Sequence, residues 1–405
     1  MDPQEPGPAP RPGPSSQPGQ YPPPPPHPGT YPPQGPYPPP QQPGPYQQPG
    51  PYQQPGPYPQ QWGAQGPHPQ QWGGPGPYPS QYGYREPRIV PAASGTPFHR
   101  LARTPKHTWW RPIAATAALA GLAVAVMLFI VVAWTIAHEL LAGSFPEPSG
   151  TDLFPSDVEN LALTLVLLGV LTPLVGLVAW VIQRRPFWSV ASVLNKVRWR
   201  WLLWCCLPAA GYIGLSILMS LLVDAVFPPE ESIGNTDGSW IGWSAFLVPA
   251  LVILFLVPFQ SAAEEFVFRG WLIQAIGAYG PDSRDGRAGL LRRVFRSPWP
   301  GIVVGGVAFV AAHGYTGWAM ADVFLFAVTV GWLTVRTGGL EAAIALHVMN
   351  NLFAFLLPAA TGGLSGWDEQ GGAPWTLLAA DLPCLVFFAC AITWLARRRE
   401  VNRLS

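Results

Sequence analysis

Apolar positions are distributed very unevenly along this chain. Residues 1 to about 105 contain few aliphatic side chains, whereas uncharged or nearly uncharged runs follow one another from residue 113 onward. Runs of about 20 apolar residues match the roughly 30 Å hydrocarbon core of a bilayer. The pattern predicts eight membrane helices, at 113–137, 161–182, 201–223, 240–278, 301–315, 318–335, 340–358 and 375–396.

The fold class expected from this pattern is an all-α polytopic membrane protein with a disordered tail before its helices. We divide the chain into a cytoplasmic tail (1–105), N-terminal transmembrane helices (113–240), helices that carry a candidate site (241–358), a last helix (375–396) and a basic cytoplasmic tail (397–405). The least distinct elements are the fifth and sixth helices. Only the short sequence GYTG separates them, so one broken or re-entrant segment is the alternative.

The N-terminal tail repeats a Pro-Gly-Tyr-Gln theme, as in PGPYQQ and PGPYPQQWG. Its dense prolines and scarce aliphatic residues cannot bury enough surface to offset the entropy lost on ordering, so we expect disorder with polyproline character. The tail is then either a passive solvated segment, a ligand for proline-recognition modules or a segment that self-associates through its aromatic rings. The first apolar stretch lies beyond residue 110, so we expect no signal peptide before it.

Loop charges predict the topology without reference to any motif. Every second loop is rich in arginine, and by the positive-inside rule these loops, with both termini, are cytoplasmic. The intervening loops are acidic. The basic positions are Arg100, Arg103, Lys106, Arg111, Arg184, Arg185, Lys196, Arg198, Arg200, Arg284, Arg287, Arg292, Arg293, Arg296, Arg336 and Arg397 to Arg399, and the acidic ones include Glu147, Asp157, Glu230, Glu231, Asp237, Asp368 and Glu369.

Overall composition narrows the class of function. The 405 residues are 48% hydrophobic and carry a formal net charge of only +1, so nucleic acid is not an expected partner and the lipid bilayer is. Two lysines against twenty-one arginines, with abundant Ala, Gly and Pro, suggest a GC-rich bacterial genome and thus a bacterial plasma membrane. Four cysteines lie in apolar helices without metal-binding spacing, which favours buried packing roles.

Three ionisable residues interrupt the fourth apolar run, in SAAEEFVFRG. A charged group at mid-bilayer costs roughly 2.5–3.5 kcal/mol on insertion scales, so it is a functional candidate unless it lies at the interface. Glu265 and Arg269 are spaced i, i+4 and are expected to pair, whereas Glu264 points about 100° away and is left without a local partner. Glu264 is therefore the candidate general base.

Two further apolar helices carry polar residues. His313 lies in FVAAHG, and His347 and Asn351 in HVMNN share one helix face because they are four residues apart. A single histidine in an apolar helix is most often a packed core residue. Polar groups on three helices are stabilised if they meet, so we expect one shared site.

The sequences EEFVFR, FVAAH and HVMNN resemble, in order, the three motifs EExxxR, FxxxH and HxxxN/B of the type II CAAX prenyl endopeptidase and bacteriocin-processing family, also called the CPBP or Abi family. The resemblance spans residues 246–358 and implies an intramembrane endopeptidase. It assigns water activation to Glu264 and His313, oxyanion stabilisation to His347 and Asn351, and a structural, orienting role to Glu265 and Arg269. A peptide or protein at the membrane would be the substrate.

The resemblance leaves the cofactor and the substrate open. Members are often described as metalloproteases, and Glu264, His313 and His347 could either hold a divalent metal such as zinc or work as a metal-free glutamate site, which we favour. Literal CAAX processing requires a prenylated substrate, which a bacterial cell is not expected to supply. The alternatives are a non-enzymatic scaffold or regulator that keeps the site and, less favoured without paired repeats, a proton-coupled transporter.

Overall fold

The structure is a computed structural model that describes residues 86–146, 152–228, 239–280, 289–364 and 371–405. The predictions for residues 1–85, including the proline-rich repeats, lie outside the described residues. So do most charges of the loops at 147–151, 229–238, 281–288 and 365–370.

About three quarters of the described residues are helical. The α-helices are α1 (Trp110–Ala142), α2 (Asp157–Gly169), α3 (Leu171–Val181), α4 (Trp199–Val226), α5 (Trp243–Glu265), α6 (Ile273–Gly277), α7 (Leu290–Arg296), α8 (Trp299–His313), α9 (Gly317–Thr337), α10 (Glu341–Thr361) and α11 (Trp375–Arg398). Short 3-10 turns occupy Phe98–Arg100 and Phe187–Val190, and a two-residue strand, Gly372–Ala373, pairs with Thr316 and Gly317.

The predicted fold class is confirmed: this is an all-α, multi-pass membrane protein. Within the described residues, seven helical segments are long and apolar enough to cross a membrane, and α8 is a shorter apolar helix of 15 residues. α2 and α3 together make one span, as do α5 and α6 with the turn between them. The fifth and sixth predicted helices are two separate helices, α8 and α9, because Gly314 ends α8 in a left-handed conformation (φ 70°).

A π-helical turn, Phe266–Leu272, directly follows Glu265 and joins α5 to α6. α8 packs closely along this region. A Cβ added at Gly305 would lie 2.7 Å from the Phe268 carbonyl oxygen, and one at Gly301 would lie 2.9 Å from the Ile273 Cα. The glycine contacts hold α8 close to the π-helical turn. π-helical turns often occur at functional sites, and this one directly follows the candidate residues Glu264 and Glu265.

Several arginine-containing segments meet at one end of the bundle, which we call the arginine-rich end. Arg198 forms a paired contact with Glu341 and also donates to the Asn402 carbonyl, so the start of α4, the start of α10 and the C-terminus are adjacent. Arg103 donates to the Ala278 carbonyl after α6. This grouping is what the loop charges lead us to expect of one membrane face.

Arg185 is completely buried at the arginine-rich end. It donates to Gln183, Ser189 and Gln274, and its guanidinium lies 5.8 Å from the centre of the Trp271 ring. Burial lowers the pKa of Arg185 to about 9, so the group stays protonated at neutral pH. The network ties the loop after α3 to α6.

The boundary predicted for the disordered tail, residue 105, is too late. The described residues 86–105 pack against the helices: Phe98 and Leu101 are buried in the same core cluster as Trp271. His99 contacts the Arg296 carbonyl, and Thr96 bonds with Ser405. A few well-placed apolar residues in an otherwise polar stretch thus anchor this segment, and average composition does not reveal them.

Candidate active site

Glu265 lies at the centre of a buried polar cluster. Its Oε1 accepts hydrogen bonds from Arg269 Nη1 at 3.0 Å and from His347 Nδ1 at 2.7 Å. The predicted pair with Arg269 is therefore present, but Glu265 also orients His347, which the spacing alone did not indicate. Arg269 is 1% exposed, and its guanidinium lies 3.9 Å from the centre of the Phe309 ring.

Glu264 faces both histidines. Its Oε2 lies 3.7 Å from His313 Nε2 and 3.5 Å from His347 Nε2, and it has no hydrogen-bond partner among the described residues. His313 Nδ1 lies 2.7 Å from the Phe309 carbonyl, which can only accept, so this nitrogen carries a proton and Nε2 presents a lone pair in the neutral ring. The four predicted residues on three helices do come together.

Gln260 is a site residue that the sequence analysis missed. Its Nε2 donates to Glu264 Oε1 at 2.7 Å, and its Oε1 accepts from Asn351 Nδ2 at 3.2 Å. The expectation that Glu264 lacks a local partner is therefore wrong. Gln260 precedes Glu264 by one helical turn, and this i, i+4 spacing was the available signal. The amide connects the Glu264 carboxylate to Asn351.

A cavity of about 190 Å³ adjoins the site. His313, His347 and Asn351 line it together with polar residues from α4, α9 and α11 that carried no motif. Tyr212 donates a hydrogen bond to Asp381, and Asp322 lies on α9, which packs against α11. The cavity lining is Tyr212, Ser216, Ser220, Phe309, His313, Tyr315, Asp322, Val323, Phe326, His347, Asn350, Asn351, Leu377, Ala380 and Asp381.

The candidate metal ligands are not arranged as a preformed metal site in the described residues. A catalytic zinc needs three protein ligands about 2.0–2.2 Å from one point. Glu264, His313 and His347 approach one another, yet no group of three or more His, Cys, Asp or Glu residues in the described ranges has a geometry that could hold a metal ion. His347 also directs its Nδ1 to Glu265.

Comparison with known proteins bears on the segment that contains this site. The family model described as "Type II CAAX prenyl endopeptidase Rce1-like" matches residues 243–353. The chain is also 29% identical over 191 residues to the "Uncharacterized protein YyaK" of Bacillus subtilis (strain 168), an alignment that covers 45% of this chain and 55% of that protein. The chain thus spans about half the length of this relative. No solved structure matches it.

The matched segment contains α5, the π-helical turn, α8, α9 and the first half of α10, and therefore every residue of the predicted site. It includes Glu264, Glu265, Arg269, His313, His347 and Asn351 in the order of the three motifs. Residues 243–353, which hold the whole candidate site, are thus the part of the chain that is similar to the type II CAAX prenyl endopeptidase Rce1-like family.

Proposed function

We propose that the protein is an intramembrane endopeptidase that hydrolyses a peptide bond of a membrane-associated peptide or protein. The family of residues 243–353 supports a CAAX-type intramembrane protease activity. The observation that carries the proposal is the convergence of Glu264 Oε2 on His313 Nε2 and His347 Nε2 beside a polar cavity. The proposal does not require that the substrate be prenylated.

Water activation is the proposed role of Glu264 and His313. Their closest atoms are 3.7 Å apart, too far for a direct hydrogen bond, and a water molecule placed beside both atoms would bond to each of them. The water oxygen attacks the scissile carbonyl carbon while Glu264 Oε2 takes one proton from the water. The other O–H of the same water donates a hydrogen bond to His313 Nε2. Glu264 then returns the proton to the leaving amine.

His347 and Asn351 are the proposed donors to the oxyanion of the tetrahedral intermediate. Glu265 fixes the His347 ring by accepting from Nδ1–H, so Nε2 donates towards the cavity when His347 is the doubly protonated imidazolium. Asn351 uses one N–H for Gln260, which leaves the other for the developing charge. Glu265 and Arg269 touch no reacting atom and act as positioning residues.

Comparative membrane peptidomics tests the proposal. Cells that produce the wild-type protein are compared with cells that produce Glu264→Ala, and Asp224→Asn serves as a control at an exposed acidic residue of α4. We expect a set of cleaved termini that disappears with Glu264→Ala and persists with Asp224→Asn. Identical peptide profiles in all three strains, at equal protein levels, would favour a scaffold or regulator.

Substitution of Gln260 should lower the turnover rate more than substrate binding. Gln260→Leu removes the contacts of the amide to Glu264 and Asn351 and leaves both side chains free to rotate. Small displacements of reacting groups cost up to about 10²-fold in rate. We expect kcat to fall by about this factor while KM changes little.

Ser261→Ala is the matched control for Gln260→Leu. It removes only the hydroxyl that donates to Gln260 Oε1, so the contacts to Glu264 and Asn351 remain. Steady-state kinetics on a peptide identified by peptidomics measures both variants. Equal kcat values for Gln260→Leu and Ser261→Ala would show that Gln260 does not position the site.

A further inference from the structure

The cavity extends from the site in one direction along the helices. At a rise of 1.5 Å per residue, His347 lies about 9 Å along α10 from its start at the arginine-rich end. On the same scale, Asp381 lies about 25 Å along α11 from that end, and Ser220 about 31 Å along α4. The cavity therefore runs away from the arginine-rich end of the bundle.

Exposure of the lining residues rises in the same direction. His347 and Ala380 are buried, and Asp322 is half-buried. Further along, Ser220 and Leu377 are exposed, the latter to 43%. A gradient from buried to exposed is expected of a cavity whose mouth lies at the end opposite to the arginine-rich end.

The lining is polar enough to hold water along its length. Tyr212, Ser216, Asp322 and Asp381 line the cavity at depths where a lipid environment would penalise polar side chains. Asp322 Oδ1 is buried and has no hydrogen-bond partner among the described residues. An unsatisfied carboxylate oxygen is strongly disfavoured unless water or a polar ligand reaches it.

The arginine-rich end is packed with side chains. Phe98, Leu101 and Trp271 fill one core cluster there, each 2% exposed or less. The buried pair of Arg198 and Glu341 holds α4 against the start of α10. A peptide approaching from this end would have to displace both contacts, whereas the lining residues are exposed towards the opposite end.

We propose that the substrate enters from the end of the bundle opposite to the arginine-rich end. With the orientation given by the positive-inside rule, this is the extracytoplasmic face. The substrate class is then a membrane-associated peptide segment exposed outside the cytoplasm, such as the outer juxtamembrane part of an exported protein. This inference rests on the proposed endopeptidase function and adds the side from which the site is reached.

Cysteine accessibility tests the route of entry without requiring any turnover. Ser220→Cys and Ser216→Cys are made in the full chain, and reaction with a membrane-impermeant maleimide is measured as the increase over the parent protein, in intact cells and in inverted membrane vesicles. Leu218→Cys, exposed on the same helix but outside the cavity lining, is the matched control. A thiol reacts as the thiolate, which needs water, so a lipid-facing cysteine should stay unlabelled.

Gly371→Cys and Lys196→Cys calibrate the two sides, because both positions are exposed and a Cβ at Gly371 meets open space. We expect Ser220→Cys and Ser216→Cys to react in intact cells, as Gly371→Cys does, and Leu218→Cys to remain unlabelled. If Ser220→Cys and Ser216→Cys were labelled only in inverted vesicles, as Lys196→Cys is, the proposal would be overturned. It would also be overturned if neither variant, in folded protein, were labelled from either side. Labelling in intact cells without any proteolysis would instead refute the enzymatic function alone.

Discussion

Glu264→Gln is expected to abolish detectable proteolysis while leaving the helix bundle as stable as the wild type. Loss of the general base removes about 10²–10⁴-fold of rate acceleration. The amide has nearly the same shape, and Glu264 Oε2 makes no hydrogen bond within the described residues that the change would break. Turnover of a peptide substrate and the melting temperature in detergent are the two measurements.

Glu265→Gln is expected to affect both quantities, which separates it from Glu264→Gln. Glu265 is fully buried, and its Oε1 holds Arg269 and His347 together. Removal of one partner of a buried ion pair costs about 3–5 kcal/mol, so stability falls, and loss of the Nδ1 contact also lowers turnover through His347.

The double variant Glu265→Gln with Arg269→Gln is the internal control, because it removes the uncompensated charge as well. It should recover part of the lost stability but none of the activity. The division of roles would be refuted by wild-type cleavage in Glu264→Gln. It would equally be refuted if Glu264→Gln were the unstable variant and Glu265→Gln the stable, inactive one.

Two truncations should differ sharply in stability. Deletion of residues 2–85 is expected to leave the melting temperature nearly unchanged, because the proline-rich sequence offers little apolar surface to pack. Deletion of residues 2–104 also removes Phe98 and Leu101 from the core, and loss of one buried Phe side chain typically costs about 3–5 kcal/mol. The longer deletion should therefore lower the melting temperature markedly or prevent purification of folded protein.

Point variants provide the matched comparison for the truncations. Phe98→Ala should reproduce much of the loss, whereas Phe145→Ala, at a position that is 64% exposed, should be close to neutral. Equal melting temperatures for Phe98→Ala and Phe145→Ala would show that the packing of residues 86–105 contributes nothing to stability.

Long apolar runs made the fold predictable, and helical periodicity made much of the site predictable. Each predicted span has a matching helical segment. The thickness of the bilayer fixes how many apolar residues a spanning helix needs, so such helices can be recognised from sequence. The Glu265–Arg269 pair followed from i, i+4 spacing. The meeting of Glu264, His313 and His347 followed from the energetic need of polar groups in lipid to find one another.

The parts that escaped prediction depend on tertiary contacts. Gln260 is uncharged and lay outside the quoted motif, so its position between Glu264 and Asn351 became evident only from the packing of α5 on α10. Asp381 and Tyr212 lie far apart in sequence and meet only in the folded bundle. Likewise, nothing in the polar composition around Phe98 indicated that its ring is completely buried.

Cleavage by purified protein in liposomes, carried out in ¹⁸O-labelled water, tests the central claim most directly. Wild-type protein, Glu264→Gln and the control Asp224→Asn are incubated with membrane-derived peptides, and mass spectrometry identifies the new C-termini. The endopeptidase proposal predicts new C-termini that carry ¹⁸O with the wild type and Asp224→Asn, and none with Glu264→Gln. Equal cleavage by Glu264→Gln, or no cleavage by folded wild-type protein, would contradict it.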